Sequence, residues 1–244
     1  MEVNKQTISY KDISSIVRKL WEEVGEPYGR EFCIMGGDWQ TFTRMFDLKL
    51  KEPEVYKYLI PFPGEWHWNW HILKGIFVVW GEYILKPFTI SVLRFKNFDL
   101  KCKNFHYAEH LFEVFTVGVA QFMISIRKKH PEMSDMDIQS HYRENSHIYE
   151  LLYMWNWYIC PYWHTRSALK AGNSEVINTM WRYWLPLFIT AKKHNYAIMS
   201  IRFVWMLEYL HPDIVGIMND FRIFSFSTAK MTGIPLDGVN ELVC

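Results

Sequence analysis

The sequence predicts an α+β fold that is predominantly helical, with a small parallel sheet early in the chain, a long all-helical block after it and a short extended return at the end. Two observations carry this. Two short apolar runs, residues 32–35 and 59–62, each end at glycine or proline followed by a carboxylate, and a helical stretch lies between them. Strand, helix, strand is one β-α-β unit, whose strands are expected to pair in parallel. About 150 residues with almost no strand signal then follow, carrying amphipathic stretches in succession that have one another to bury against.

Taken in order, residues 12–23 place Ile13, Ile16, Val17, Leu20 and Trp21 at helical spacing, and Gly25 with Pro27 stops the helix. The run Glu31-Phe-Cys-Ile-Met ends in Gly36-Gly37-Asp38, the pattern of a buried strand that delivers a carboxylate at its end. Asp38 has two readings at this point: a ligand for metal or phosphate chemistry, or the N-cap of the helix predicted over 39–50. The second run leads into Pro61-Phe-Pro63-Gly-Glu65-Trp66-His67, where two prolines and a glycine forbid helix and favour extended chain ending in a tight turn. Apolar spacing from Trp68 to Trp80 is helical, so Glu65 and His67 fall at a strand-to-helix junction, where αβ sheets tend to place ligands. His67 reads equally well as a packed core residue among tryptophans.

Beyond this point residues 107–129 form an amphipathic helix whose basic end, Arg127-Lys-Lys, complements the helix dipole. Ser134 with Asp135 and Asp137 starts another helix, continued over 142–158 until Pro161 stops it. A further helix opens at Gly172-Asn-Ser-Glu175 and should kink at Pro186; residues 196–210 and a short stretch from Pro212 to Asn219 complete the helical block. Extended chain returns at 221–227. The organisation read from this is an N-terminal helical segment (1–30), an αβ core (31–80), a helical insertion (81–220) and a return to the core (221–244), with no repeat and no long linker.

Half of the 244 residues are hydrophobic and 22% are charged, the balance of a globular chain. The formal net charge of +1 gives no whole-protein field for nucleic acid, so a DNA-binding surface would have to be a local patch. Cys33, Cys102, Cys160 and Cys244 lie far apart without a C-x-x-C pair, which fits reduced intracellular thiols. The N-terminus lacks the apolar core of a signal peptide. The most apolar window, 72–93, is interrupted by Lys74, Glu82, Lys86 and Pro87, and is expected to be core helix with no membrane partner. The 43 aromatic residues read either as core filling or as platforms for base stacking.

Acidic residues flank the helical block: Asp38 and Glu65 before it, Asp237 and Glu241, four apart on one helix face, after it. Two-metal phosphoryl transfer requires carboxylates remote in sequence to converge on hard cations. Residues 37–41 (G-D-W-Q-T), 63–67 (P-G-E-W-H), W-R-Y-W-L-P-L-F with H-N-Y over 181–196, and D-x-x-x-E over 237–241 together resemble a transposon-derived domain family related to RNase H-like, DDE-type transposase cores. The resemblance runs from about Phe32 to the end and implies a partial RNase H-like sheet interrupted by an all-helical insertion. It also implies Asp38 and Glu241 as catalytic acids and metal ligands, with Asp237 beside them. Glu65, Trp66 and His67 would be an accessory motif, Mg²⁺ or Mn²⁺ the cofactor, and DNA the partner, with homo-oligomeric assembly and a nuclear location.

The chain departs from that pattern in one respect. Only about 25 residues separate Asp38 from Glu65, too few for the three strands and helix that precede a second acid, which need roughly 45. The first acid and its strands are expected upstream of Phe32, where about 30 helical-looking residues stand instead. The resemblance implies a transposase-derived domain, ancestrally a two-metal DNA nuclease or strand transferase, and the spacing leaves two readings of it, a fragment of a longer protein or a remnant that has lost its first acid, inactive in either case as this chain alone. The alternative is a non-catalytic helical interaction module descended from such a core. A metal-binding helix using His67 and His71 is a third reading, without the H-E-x-x-H order or an evident third ligand.

Overall fold

The computed structural model describes residues 9–95, 98–224 and 234–235. Their order is α1 (Tyr10–Val24), β1 (Cys33–Gly37), α2 (Trp39–Lys51), β2 (Leu59–Pro63), α3 (Glu65–Trp80), α4 (Phe105–Lys129), α5 (Asp135–His141), α6 (Ser146–Met154), α7 (Cys160–Ala171), α8 (Ser174–Tyr183), α9 (Leu185–Thr190), α10 (His194–Tyr209), α11 (Pro212–Phe221), β3 (Ile223–Phe224) and β4 (Ile234–Pro235). The fold is predominantly helical α+β with a small parallel sheet, as the sequence predicts. β1 and β2 pair in parallel from Cys33↔Leu59 to Gly37↔Pro63, and β3 and β4 form a separate antiparallel pair. The chain divides into two compact units: residues 1–68, 169–185 and 194–244, and residues 69–168 with 186–193. The division falls inside α3, in the middle of the αβ core expected from sequence.

In the first unit, Ser9 caps α1 in a reciprocal box with Asp12, the Asp12 carboxylate accepting from the Ser9 N–H at 2.8 Å. These bonds hold the Asp12 carboxyl below the ordinary carboxylate range. Ile13 and Val17 of α1 pack with Met45 and Leu48 of α2 and with Leu59 of β2, and Trp21 stacks on Tyr58 with ring centroids 4.2 Å apart. β2 is buried along its whole length, whereas β1 is buried only at Met35.

Backbone direction explains why the parallel sheet does not extend beyond β2. The Cys33 N–H donates to the Tyr58 carbonyl, and the Gly64 N–H to the Gly37 carbonyl. Because strand polar groups alternate sides, Leu59, Pro61 and Pro63 turn theirs to the far edge of β2. Two of those three residues have no N–H, so that edge cannot support a further ladder. Ile34 and Gly36, by contrast, turn both donor and acceptor to the outer edge of β1, where no described strand pairs. A cavity of about 420 Å³ runs beside that edge, with Phe32, Ile34, Gly36, Ile217 and Met218 in its walls.

The second unit is built on α4. Leu111, Phe112, Phe115, Val119, Met123 and Ile126 are buried on its inner face, and Phe112 meets Tyr162 edge-to-face at 5.3 Å. Glu109 of α4 accepts from Arg166 Nε at 2.7 Å and from the Tyr162 hydroxyl at 2.9 Å, tying α7 to α4. Among the described residues α4 is long and apolar enough by length and composition to cross a membrane; the apolar window 72–93 instead becomes the second half of α3 followed by π-helical turns at Gly81–Leu85 and Phe88–Val92.

Two proline expectations are corrected. Pro161 does not end a helix: the π turn Trp155–Ile159 widens the chain just before it, the Cys160 N–H reaching back to the Trp155 carbonyl, and α7 proceeds with the proline in its first turn, where no N–H is needed. Pro186 does not kink a continuous helix. α8 closes at Trp184, whose N–H bonds to the Met180 and Arg182 carbonyls, and the proline lies in the first turn of the short α9. Cys33, Cys102 and Cys160 are free thiols. Burial pushes the thiol pKa of all three up, most strongly at Cys102.

Candidate functional site

Both strands of the parallel pair end together, joined by the 2.6 Å bond from the Gly64 N–H to the Gly37 carbonyl. Each turns at once into a helix, so α2 and α3 begin side by side at the carboxyl edge of the sheet, with Asp38 before one and Glu65 in the first turn of the other. Helix N-termini present unpaired N–H groups and the positive end of the dipole, which suits carboxylates.

Asp38 is half-buried and caps α2, its Oδ1 accepting from the Thr41 N–H at 2.9 Å. The close turn needs glycine at position 37, because a Cβ there would stand 2.5 Å from Thr41 Cγ2. Among the described residues only Oδ1 of Asp38 is hydrogen-bonded. Replacing Asp38 by alanine should cost ~1 kcal/mol of stability through the lost cap, and asparagine, an equally good cap, only a few tenths. Thermal melts of the two variants check this; equal midpoints would mean that capping is not what holds α2.

Glu65 has a different environment. Only 1% of it is exposed, and both carboxylate oxygens are engaged by Arg222, itself 1% exposed. Arg222 Nε donates to Oε2 at 3.3 Å, Arg222 Nη2 donates to Oε1, and Trp181 Nε1 approaches Oε1 at 3.4 Å. The other guanidinium nitrogen, Nη1, donates to Asn178 Oδ1 at 2.9 Å, Asn219 Oδ1 at 3.1 Å and the Ser174 carbonyl at 3.3 Å. The guanidinium also lies 5.6 Å from the centre of the Phe62 ring. This is a bidentate, desolvated pair in which Arg222 brings α8 and the end of α11 to the first turn of α3. Around it Trp181 stacks on Trp68 at 4.2 Å and meets Phe203 edge-on at 5.0 Å, while Phe62 meets Phe203 at 5.6 Å.

Trp66 and His67 are half-buried and touch edge-to-face, with ring centroids 4.8 Å apart. His71 is also half-buried in α3, a turn further on. Asp237 and Glu241 lie outside the described residues. Among the described residues no three His, Cys, Asp or Glu side chains stand close enough to hold a metal ion. The structure thus brings Asp38 and Glu65 to one edge and commits Glu65 to Arg222.

Sequence reasoning missed Arg222, Trp181, Asn178 and Asn219 as parts of this centre. A signal for one of them exists: Arg222 stands alone in Phe221-Arg-Ile-Phe, and a single guanidinium in an apolar run needs a buried carboxylate. Residues 133–243, less than half of the chain, match a family described as one of unknown function (DUF6589). That stretch contains Trp181 and Arg222 but neither Asp38 nor Glu65. No curated protein matches, and no solved structure matches.

Proposed function

We propose that this chain is a transposase-derived, RNase H-like domain that works as a non-catalytic helical interaction module. The observation that carries the reading is the commitment of Glu65. A two-metal centre needs carboxylate oxygens available to hard cations. At the carboxyl edge of this sheet the buried carboxylate already binds a guanidinium and an indole N–H. A metal that took Glu65 as a ligand would have to displace Arg222 and leave its charge buried and unpaired, so this carboxylate is withdrawn from such a centre. Growth of the sheet is confined to β1, which suits a core whose remaining strands would add on that side and whose β2 is terminal. The first catalytic acid of such a core would belong to those strands.

One observation favours the catalytic alternative, in which Asp38 and Glu241 hold Mg²⁺ or Mn²⁺ and cut or join DNA. Asp38 keeps one oxygen outside any hydrogen bond among the described residues, at the strand end where that chemistry would sit. A thermal melt separates the two readings. A metal bound at a hundredfold excess over its Kd adds about 2.7 kcal/mol to native stability, on the order of 5–10 °C in a chain of this size. The interaction-module reading expects Mn²⁺ to shift wild type and Asp38→Asn equally. Because asparagine preserves the cap, a Mn²⁺-dependent rise present in wild type and absent from Asp38→Asn would overturn that reading and support a surviving metal site.

A further inference from the structure

On the proline side of β2, away from the Glu65 centre, α2, β2 and the C-terminal end of α10 enclose a second cavity of about 290 Å³. Phe46 and Leu50 of α2, Ile60 and Pro61 of β2, and Trp205 and Met206 of α10 form most of its wall. The lining contains one charged group, Lys49, and no carboxylate.

Lys49 is there for a reason the strand supplies. With Pro61 and Pro63 lacking N–H groups, the far edge of β2 offers chiefly carbonyls, and Lys49 Nζ donates to those of Leu59 at 2.6 Å and Lys57 at 3.0 Å. An ammonium has three N–H donors, so one remains uncommitted. Burial lowers the Lys49 pKa, the mark of a charge short of solvation. An anion entering the cavity would supply what is missing. The rim, meanwhile, is apolar and open: Leu50, Trp205 and Tyr209 are 59%, 49% and 73% exposed. Trp205 is held edge-on against Phe46 at 6.1 Å and leans on Tyr209 at 4.8 Å, so the aromatic side of the mouth is formed without a ligand.

We propose that this cavity binds a small amphiphile with a single carboxylate, of the medium-chain fatty acid class, its head on Lys49 and its acyl chain against Phe46, Ile60, Trp205 and Met206. Charge complementarity selects the head: one free N–H and no second cation suit a monoanion and not a phosphate dianion. Size selects the body, since the volume lies at the lower end of the roughly 300–1,000 Å³ range of small-molecule sites. The site uses neither Asp38 nor Glu65 and stands independently of the function proposed above.

The test is calorimetric titration of the full chain with sodium decanoate, with decan-1-ol as the uncharged comparator of the same body. Decanoate should bind saturably at one site, and decanol at least about tenfold more weakly, the worth of one charge-assisted hydrogen bond. Leu50→Glu, at an exposed position on the rim, should weaken decanoate by about tenfold or more through like-charge repulsion. Lys49→Met should abolish the preference for decanoate over decanol. If circular dichroism shows that Lys49→Met does not fold, raising the pH through the lowered Lys49 pKa makes the same test on the wild-type chain, and affinity should fall. No saturable decanoate binding, equal affinity for decanol, or binding indifferent to Leu50→Glu would each overturn the proposal; equal affinity for decanol would make the cavity a docking site for apolar side chains of another protein.

Discussion

Arg222→Met is expected to destabilise the first unit by about 3–5 kcal/mol. The reason is asymmetric. Together, Glu65 and Arg222 satisfy each other away from water, with Asn178, Asn219 and the Ser174 carbonyl taking the remaining guanidinium protons. Removing Arg222 takes from a carboxylate 1% exposed the guanidinium that binds both its oxygens. Removing both is far less harmful, since a buried pair gains little net over well-packed apolar groups. The double variant Glu65→Leu/Arg222→Met should therefore recover to within about 2 kcal/mol of wild type, the residue of loss falling on the two asparagines. Urea unfolding followed by tryptophan fluorescence measures all three, and Trp181, in contact with Glu65, reports directly on the site. Single and double variants of equal stability would show that the pair is not coupled.

Trp181→Ala should cost about 3–5 kcal/mol for a separate reason. Its ring is fully buried, stacks face-on with Trp68 and meets Phe203 edge-on, so deletion leaves a cavity between helices rather than a lost surface contact. Tyr28→Ala, at a residue 71% exposed, is the control and should stay within roughly 0.5 kcal/mol of wild type in the same urea titration. A Trp181→Ala loss no larger than the control's would show that the aromatic cluster can close over the gap.

The strands were legible because their signals are local. Proline and glycine bracket the two runs, and β1 and β2 fall at Cys33–Gly37 and Leu59–Pro63, within two residues of the ranges read from sequence. The Asp38 cap was legible for the same reason: its partner Thr41 is three residues away. The partner of Glu65 was not, because Arg222 is 157 residues distant and only tertiary packing brings them together. A carboxylate that ends a strand and meets an arginine reads, in sequence, like one that ends a strand and meets a metal. Continuity through Pro161 was hidden differently. It depends on a π turn, Trp155–Ile159, whose widened backbone has no residue signature of its own.

The two prolines of β2 also decide how far copies of this chain could associate through their sheets. An open strand edge ordinarily templates its neighbour, and the neighbour's far edge templates the next, which is how edge pairing runs on into fibres. Among the described residues the parallel pair offers one such edge in each copy, at Ile34 and Gly36, and its opposite edge carries Pro61 and Pro63. If two copies met edge to edge through β1, both competent edges would be consumed and only proline edges would face outward. Such pairing terminates itself at a four-stranded, two-chain sheet, because each end of the new sheet is a chain stop.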